Sequence, residues 1–360
     1  MKLNIGQKEL IVVLEIGGLG DFIMATPTLK SLRQRFPHNP IVIFVAQRTV
    51  TLAKDFSQNI LENPFDVISF RTTGNYLARN LTNLTNIIRV ANQKPGLLID
   101  LCAIESDAAA RRRRNFIKLF NSKITVGRNT DQRGIFFDLY SDENLFSKQH
   151  EVEKISQILS LLGIDSKPGK LEFFISDESQ KLVRNHIKKS KLEEKILIGI
   201  NIGAYNSDRR WPIKNIIELM DILQTFENIH FLIFGGKTDA KFVEPILNSI
   251  DRSIFTPIIG LPFQIVGAWL QRINLLITND SGVMHFAAAL KVPTIALFGP
   301  ENPYRYAPWG NFPKSVIKYY PKGEDNFTEE NIFFPDAICY IKPEYIAEKV
   351  NAFIKTGTFI

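Results

Sequence analysis

Short apolar runs rich in β-branched residues alternate along this chain with longer stretches of helical periodicity, and that alternation admits few folds. Leu10–Ile16, Ile41–Ala46, Val67–Phe70, Leu97–Leu101 and Lys123–Val126 read as strands, with helices over Thr26–Phe36, Tyr76–Asn92 and Ser106–Phe120. A βαβ series of this kind builds a parallel sheet with helices on both faces. A helix over Glu151–Leu162 closes at Gly163, a good C-cap residue. The pattern then restarts. Strands follow at Ile196–Asn201, His230–Phe234, Leu275–Thr278 and Thr294–Phe298, and helices at Ile213–Phe226, Asp239–Ile250, Phe263–Arg272 and Ser281–Leu290.

The fold class expected is therefore α/β, with two Rossmann-like domains over residues 1–185 and 186–342. A last amphipathic helix, opened by Pro343, occupies 343–360 and is expected to pack back on the first domain. The charged segment Lys188–Lys195 reads as a linker. Doubly wound sheets bind ligands at the carboxyl ends of their strands, so two such domains facing each other would place the site in a cleft.

The polar turns after the strands carry the chemistry. Leu275-Leu276-Ile277 leads into Thr278-Asn279-Asp280-Ser281-Gly282 and then Val283-Met284-His285-Phe286-Ala287-Ala288-Ala289. This order of strand, turn and helix start puts backbone N–H groups and the Ser281 hydroxyl at the positive end of a helix dipole, where a phosphate is well held. His285 lies one turn on, on the same face; its alternative is an ordinary buried histidine bonded to backbone. Asn201-Ile202-Gly203-Ala204 precedes Asp208-Arg209-Arg210-Trp211-Pro212, where two arginines can neutralise a pyrophosphate through forked hydrogen bonds. The alternative is an exposed basic loop. Phe234-Gly235-Gly236-Lys237-Thr238-Asp239 offers a further loop able to approach a nucleotide, and many α/β loops look like it.

In the first domain, Gly17-Gly18-Leu19-Gly20-Asp21 follows the first strand. The glycines allow close backbone approach to a ligand, and Asp21 falls at a helix start, where a capping role is the simplest reading. Nicotinamide binding does not fit. Ile23 stands where the dinucleotide fingerprint needs its third glycine, and Val45-Ala46-Gln47 supplies no acidic residue for a ribose. Arg111-Arg112-Arg113-Arg114, followed by Asn115-Phe116-Ile117-Lys118-Leu119-Phe120, is either a solvated helix face or a contact for anionic lipid or substrate, and Lys123, Arg128 and Arg133 enlarge the basic surface.

Composition narrows the partners. The 360 residues are 45% hydrophobic and 22% charged, a globular balance, and the net charge of +7 favours anionic ligands. No nucleic-acid module signature is present, so phosphorylated substrates or a membrane surface are preferred to nucleic acid. No run approaches about 18 apolar residues, and Glu15 ends the apolar N-terminal run, which speaks against a transmembrane helix and a signal peptide. Cys102 and Cys339 lie far apart, with neither metal-ligand spacing nor a disulfide framework, which fits a cytoplasmic location.

Taken in order, these motifs resemble glycosyltransferase family 9, the bacterial heptosyltransferases of lipopolysaccharide core synthesis. Gly20-Asp21-Phe22-Ile23-Met24-Ala25-Thr26-Pro27 is similar to the family's Gly-Asp…Thr-Pro element, and Arg209-Arg210-Trp211-Pro212 to its basic-x-Trp-Pro element. Asp280-Ser281-Gly282…His285, continued by Pro293…Leu297-Phe298-Gly299-Pro300, is similar to its C-terminal signature. The resemblance implies the two-domain GT-B architecture, and an inverting, metal-independent transfer with no cofactor beyond a sugar-nucleotide donor, ADP-linked in many members. It implies Asp21 as general base, and a donor site from Arg209, Arg210, Gly235, Asp239, Asp280, Ser281, Gly282 and His285. Gly20, Asp100, Arg111 and Arg128 would serve an anionic glycolipid or glycan acceptor, with peripheral contact at the cytoplasmic face of the inner membrane. One departure concerns the donor: Lys237 stands where ADP-heptose members often carry a glutamate. An epimerase of nucleotide sugars, or a non-catalytic glycan-binding homologue, are the alternatives on the same architecture.

Overall fold

The computed structural model describes residues 5–71, 76–145, 147–226, 228–320 and 336–359. The chain forms two compact units, Met1–Glu172 and Phe173–Ile360.

In the first unit six strands, β1 (Ile11–Glu15), β2 (Ile41–Ala46), β3 (Asp66–Phe70), β4 (Leu97–Asp100), β5 (Ile124–Thr130) and β6 (Leu139–Glu143), lie in the order β3-β2-β1-β4-β5-β6. Every pairing is parallel. The central strands are buried on both faces, which is why they read as continuous apolar runs. The chain builds outward from β1 to β3 and then crosses back to β4, so β1 and β4 flank a topological switch point. Their carboxyl ends bear Glu15 and Asp100.

The helix after β1 runs Leu19–Arg35, beginning before the predicted Thr26 and enclosing Pro27. A proline inside a helix deprives the carbonyl four residues back of its donor. Here Thr26 Oγ1 donates to Ile23 O at 2.7 Å instead, so the helix continues through the proline.

The second unit repeats the plan. Strands β7 (Ile196–Asn201), β8 (Ile229–Gly235), β9 (Phe255–Ile259), β10 (Leu275–Asn279), β11 (Thr294–Phe298) and β12 (Lys314–Lys318) lie in the order β12-β11-β10-β7-β8-β9, all parallel. The switch point falls between β7 and β10. The three strands that the sequence pattern does not reveal, β6, β9 and β12, are all edge strands. Half-exposed edges need no unbroken apolar run, and β6 carries Asp142 and Glu143. Helices Val50–Ile60 and Asp177–Lys189 are likewise absent from the sequence reading.

The division at Glu172 comes before the expected 185/186 boundary. Phe173 packs on Phe286 with ring centroids 4.7 Å apart, and helix Asp177–Lys189 lies against helix Phe263–Leu270, so this segment belongs to the second unit. The supposed linker Lys188–Lys195 is the charged end of that helix and its turn into β7, while Val183 and Ile187 on the same helix are buried. The C-terminal helix Pro343–Thr356 rests on helix Ile213–Leu223 and lends Ile346, Ala347 and Val350 to the core of the second unit. Among the described residues no helix is long and apolar enough to cross a membrane.

Candidate active site

At the switch point of the first sheet, the turn Gly17-Gly18 feeds helix Leu19–Arg35. Asp21 sits in its first turn, and its Oδ2 accepts the Gly18 N–H at 2.6 Å. The capping role expected of an aspartate here is thus real, and it fixes the carboxylate at the helix N-terminus, where the dipole favours negative charge. Gly20 lies beside it in the same turn. A larger residue at Gly17 would force the turn to shift: a Cβ there would stand 2.6 Å from Asp21 Cβ and 2.7 Å from Glu15 Oε1.

Glu15, which the sequence reading takes only as the end of an apolar run, is the unexpected member of this cluster. It is 2% exposed, and its Oε1 accepts the Gly17 N–H at 3.2 Å. Burial, with the charges of Asp21 and Asp100 adding to it, pushes its carboxyl up to about 8, against the pull of the Gly17 N–H and Arg128.

Asp100 is fully buried at the end of β4, with both carboxylate oxygens on Arg113 Nη1 at 2.6 and 2.7 Å. Arg113 therefore turns inward from the arginine run, while Arg111, Arg112 and Arg114 are exposed. Arg128 corrects an expectation. It is 1% exposed and enlarges no basic surface. Its guanidinium holds Glu143 at 2.7 and 2.9 Å, Glu151, and the Leu101 carbonyl at 3.0 Å. The sequence shows charge but not partners; once β6 supplies Glu143, this arginine is structural.

In the second unit the ends of β7 and β10 meet at Asn201. Its Nδ2 donates to Thr278 Oγ1 (3.0 Å), Ser281 Oγ (2.9 Å) and Gly203 O (3.1 Å). Asn279 ties the neighbouring loop down, accepting the Trp211 N–H and donating to the carbonyls of Asn201 and Gly203. The Ser281 hydroxyl is thereby held at the N-cap of helix Gly282–Ala289, whose first N–H groups begin at Gly282. His285, one turn on, is 3% exposed.

Two arginines that the sequence presents as a pair have separate positions. Arg209 Nη1 donates to Asp280 Oδ2 at 3.1 Å and Nη2 to Glu301, at the ends of β10 and β11. Its Nε, together with Asp208 Oδ1 and Asn302 Nδ2, is buried with no hydrogen-bond partner among the described residues. Arg210 instead locks its own loop. It donates to Ile202 O (3.1 Å), Ala204 O (3.2 Å) and Asp239 Oδ1 (2.9 Å), and lies over the Phe242 ring at 4.2 Å.

Asp239 Oδ2 accepts the Gly236 N–H at 2.9 Å, so both of its oxygens are engaged within the loop. Gly235 is tightly packed: a Cβ would lie 3.0 Å from Ile259 Cδ1 and 3.1 Å from Asp239 Cβ, so its neighbours would have to give by a few tenths of an ångström. The structure thus brings Arg209, Asp280, Ser281 and Gly282 together, and shows Arg210, Gly235 and Asp239 as the frame of the adjoining loop.

Sequence reasoning misses Glu301 and Lys318 as parts of this end of the sheet. Lys318 Nζ donates to the carbonyls of Glu301 (2.9 Å) and Pro300 (3.3 Å). Burial lowers its ammonium to about 8, against the pull of Glu301 and Asp280. Lys318 closes the edge strand β12, which no sequence signal marks.

Comparison with known proteins gives the family. Residues 116–332 match the model of glycosyltransferase family 9 (heptosyltransferase). A lipooligosaccharide heptosyltransferase 2 of Campylobacter jejuni is 26% identical over 306 residues, 81% of this chain and 82% of that one. A family 9 glycosyltransferase structure from Veillonella parvula superposes with a TM-score of 0.77 at 23% identity, covering 99% of both chains. The Escherichia coli ADP-heptose lipopolysaccharide heptosyltransferase II gives 0.70 at 19% identity, covering 96% of this chain and 99% of that one. These folds are of the GT-B class, and the two six-stranded sheets described above match them. The chain belongs to glycosyltransferase family 9 and is a glycosyltransferase.

Proposed function

We propose that this protein transfers a heptose-like sugar from a nucleoside-diphosphate sugar to an acceptor of the lipopolysaccharide core or a related envelope glycan, with inversion and without a metal. The relatives it resembles are lipooligosaccharide and lipopolysaccharide heptosyltransferases. The observation that supports the reading is the arrangement at the ends of β7 and β10, the switch point of the second sheet. There Ser281 and Gly282 open a helix and Arg209 stands at the same strand ends.

In this mechanism Asp21 is the base, and Arg209, Ser281 and Gly282 hold the donor. The diphosphate takes hydrogen bonds from the helix N-terminus, and Arg209 turns its guanidinium, including the buried Nε, toward the charge that develops on the leaving group. The acceptor hydroxyl oxygen attacks the anomeric carbon opposite the diphosphate. The new C–O bond forms as the old one breaks, the bonding pair leaves with the nucleoside diphosphate, and the hydroxyl proton passes to Asp21. Arg210 and Asp239 shape the loop and do not meet the phosphates directly.

A thermal-shift series with ADP-, GDP- and UDP-sugars tests the donor. A ligand at a hundredfold its Kd stabilises the native state by about 2.7 kcal/mol, so the matching nucleotide raises the midpoint by several degrees. Absence of any shift with all three sinks the reading, and consumption of donor without acceptor would point to an epimerase instead.

The acceptor is lipid-linked in this proposal, with Arg111, Arg112 and Arg114 exposed toward anionic headgroups at the cytoplasmic face of the inner membrane. At about 1 kcal/mol per basic residue near the surface, removing all three weakens binding to phosphatidylglycerol vesicles by roughly a hundredfold. Binding to those vesicles that is equal for the wild type and the triple alanine variant contradicts it.

A further inference from the structure

The buried carboxyl groups of the first unit are not treated alike. Glu15, Asp100 and Glu151 are each at most 4% exposed. Asp100 is paired with Arg113, and Glu151 with Arg128. Glu15 has no guanidinium or ammonium within ion-pair distance among the described residues; it accepts instead from a neutral donor, the Gly17 N–H. An ionised carboxylate buried without a counter-charge is costly, and the usual resolution is to keep the proton. Gly17 also sits wedged between Glu15 and Asp21. The same small patch of space at its Cα is bounded by Glu15 Oε1 on one side and by Asp21 Cβ and Oδ2 on the other. Two carboxyl groups therefore share the end of β1, and only one of them is placed to carry charge. Asp21 is half-buried at a helix N-terminus with a donated N–H; Glu15 is enclosed.

We propose that Glu15 is a positioning residue for Asp21: a buried carboxylic acid that retains its proton, so that a single negative charge stands at this strand end and stands on Asp21. The proposal rests on Asp21 being the base. It assigns the pair a division of labour between an acid that is protonated at neutral pH and a working base. Glu15 fixes the turn through Gly17, while its neutrality spares Asp21 a repelling neighbour. The other charged or titratable groups around Glu15 are Asp100 and Cys102 at the end of β4, Arg113 behind Asp100, Arg128 on β5, and Arg48 beside Gly18. Both arginines behind the pair are already neutralised by their own carboxylates. During turnover Asp21 gains the acceptor's proton and later releases it to solvent, and Glu15 keeps its own proton throughout.

The test reads the proton first and the reaction second. In protein labelled with 13C at the glutamate carboxyl carbon, the resonance missing from Glu15→Gln identifies Glu15. It is expected to titrate near pH 8 in the wild type. In Asp21→Asn, which removes the like charge, that titration moves down by about one pH unit or more. In the wild type kcat falls as Glu15 ionises, because the second charge repels Asp21 and loosens the turn. In Glu15→Gln, neutral at every pH, this alkaline inflection is gone. A Glu15 resonance that titrates in the ordinary carboxylate range, one indifferent to Asp21→Asn, or an inflection that persists in Glu15→Gln overturns the proposal. The base assignment fails separately, through undiminished turnover of Asp21→Asn, whatever the resonance does.

Discussion

Asp21→Asn is expected to lower turnover by a factor of about 10²–10⁴, the usual contribution of a positioned general base, with little change in donor affinity. That factor corresponds to roughly 2.7–5.5 kcal/mol of barrier. The structure makes the substitution clean. The structural duty of Asp21 is to accept the Gly18 N–H at 2.6 Å, and an asparagine carbonyl oxygen accepts it as well. The cap survives and the base is lost, so the thermal midpoint should stay near that of the wild type while kcat collapses. Asp21→Ala removes both functions and should cost about 1 kcal/mol of stability in addition. The comparison separates the two roles, which coincide in one side chain. Near-normal turnover of the asparagine variant, with sugar nucleotide bound as before, would mean that the proton goes elsewhere.

The second large effect is on stability rather than on chemistry. Arg128→Met is expected to destabilise the protein by about 3–5 kcal/mol, measured by urea unfolding, because it leaves Glu143 and Glu151 buried without a counter-charge. The guanidinium also holds the Leu101 carbonyl, so the link between β4 and β5 loosens at the strand ends next to Asp100. The control is to neutralise the whole group. Arg128→Met combined with Glu143→Gln and Glu151→Gln removes the stranded charges and should regain much of the loss. Arg111→Met, on the exposed side of the arginine run, should change stability by less than about 0.5 kcal/mol. A cost for Arg128→Met no greater than that of Arg111→Met would show the ion pairs to be incidental.

These two arginines mark where sequence reasoning stops. Arg111 and Arg128 both read as basic surface near an anionic acceptor, and the sequence holds nothing to distinguish them. The distinction is made by β6, a polar edge strand whose Glu143 and Asp142 conceal it from any search for apolar runs. Arg209 and Arg210 divide in the same way. They are adjacent in sequence, yet one faces Asp280 and Glu301 at the strand ends and the other is consumed by Asp239 and two carbonyls. Lys237, a departure from the family's glutamate expected in the loop after β8, is joined by a second one: Asp239, the carboxylate proposed from the sequence as its substitute, has both oxygens engaged by Arg210 and Gly236.

What the chain declares by itself is local and periodic. Buried parallel strands must be continuously apolar, and tight turns before helices must be small and polar, so the eight inner strands and the Gly17–Asp21 and Asp280–Gly282 turns are written in the order of residues. The family follows from those turns. Partners of charged side chains are not local. Glu15 looks like a break in an apolar run until β4 brings Asp100 beside it and helix Leu19–Arg35 brings Asp21. Lys318 has no marking until β12 sets it against Glu301. A carboxyl or ammonium takes its protonation state from its burial and from the charges around it, and both arise only when distant segments pack. The sheets could thus be anticipated from the sequence, but which carboxyl is buried without a counter-charge and which arginine lies at the ends of β10 and β11 were decided by the tertiary structure.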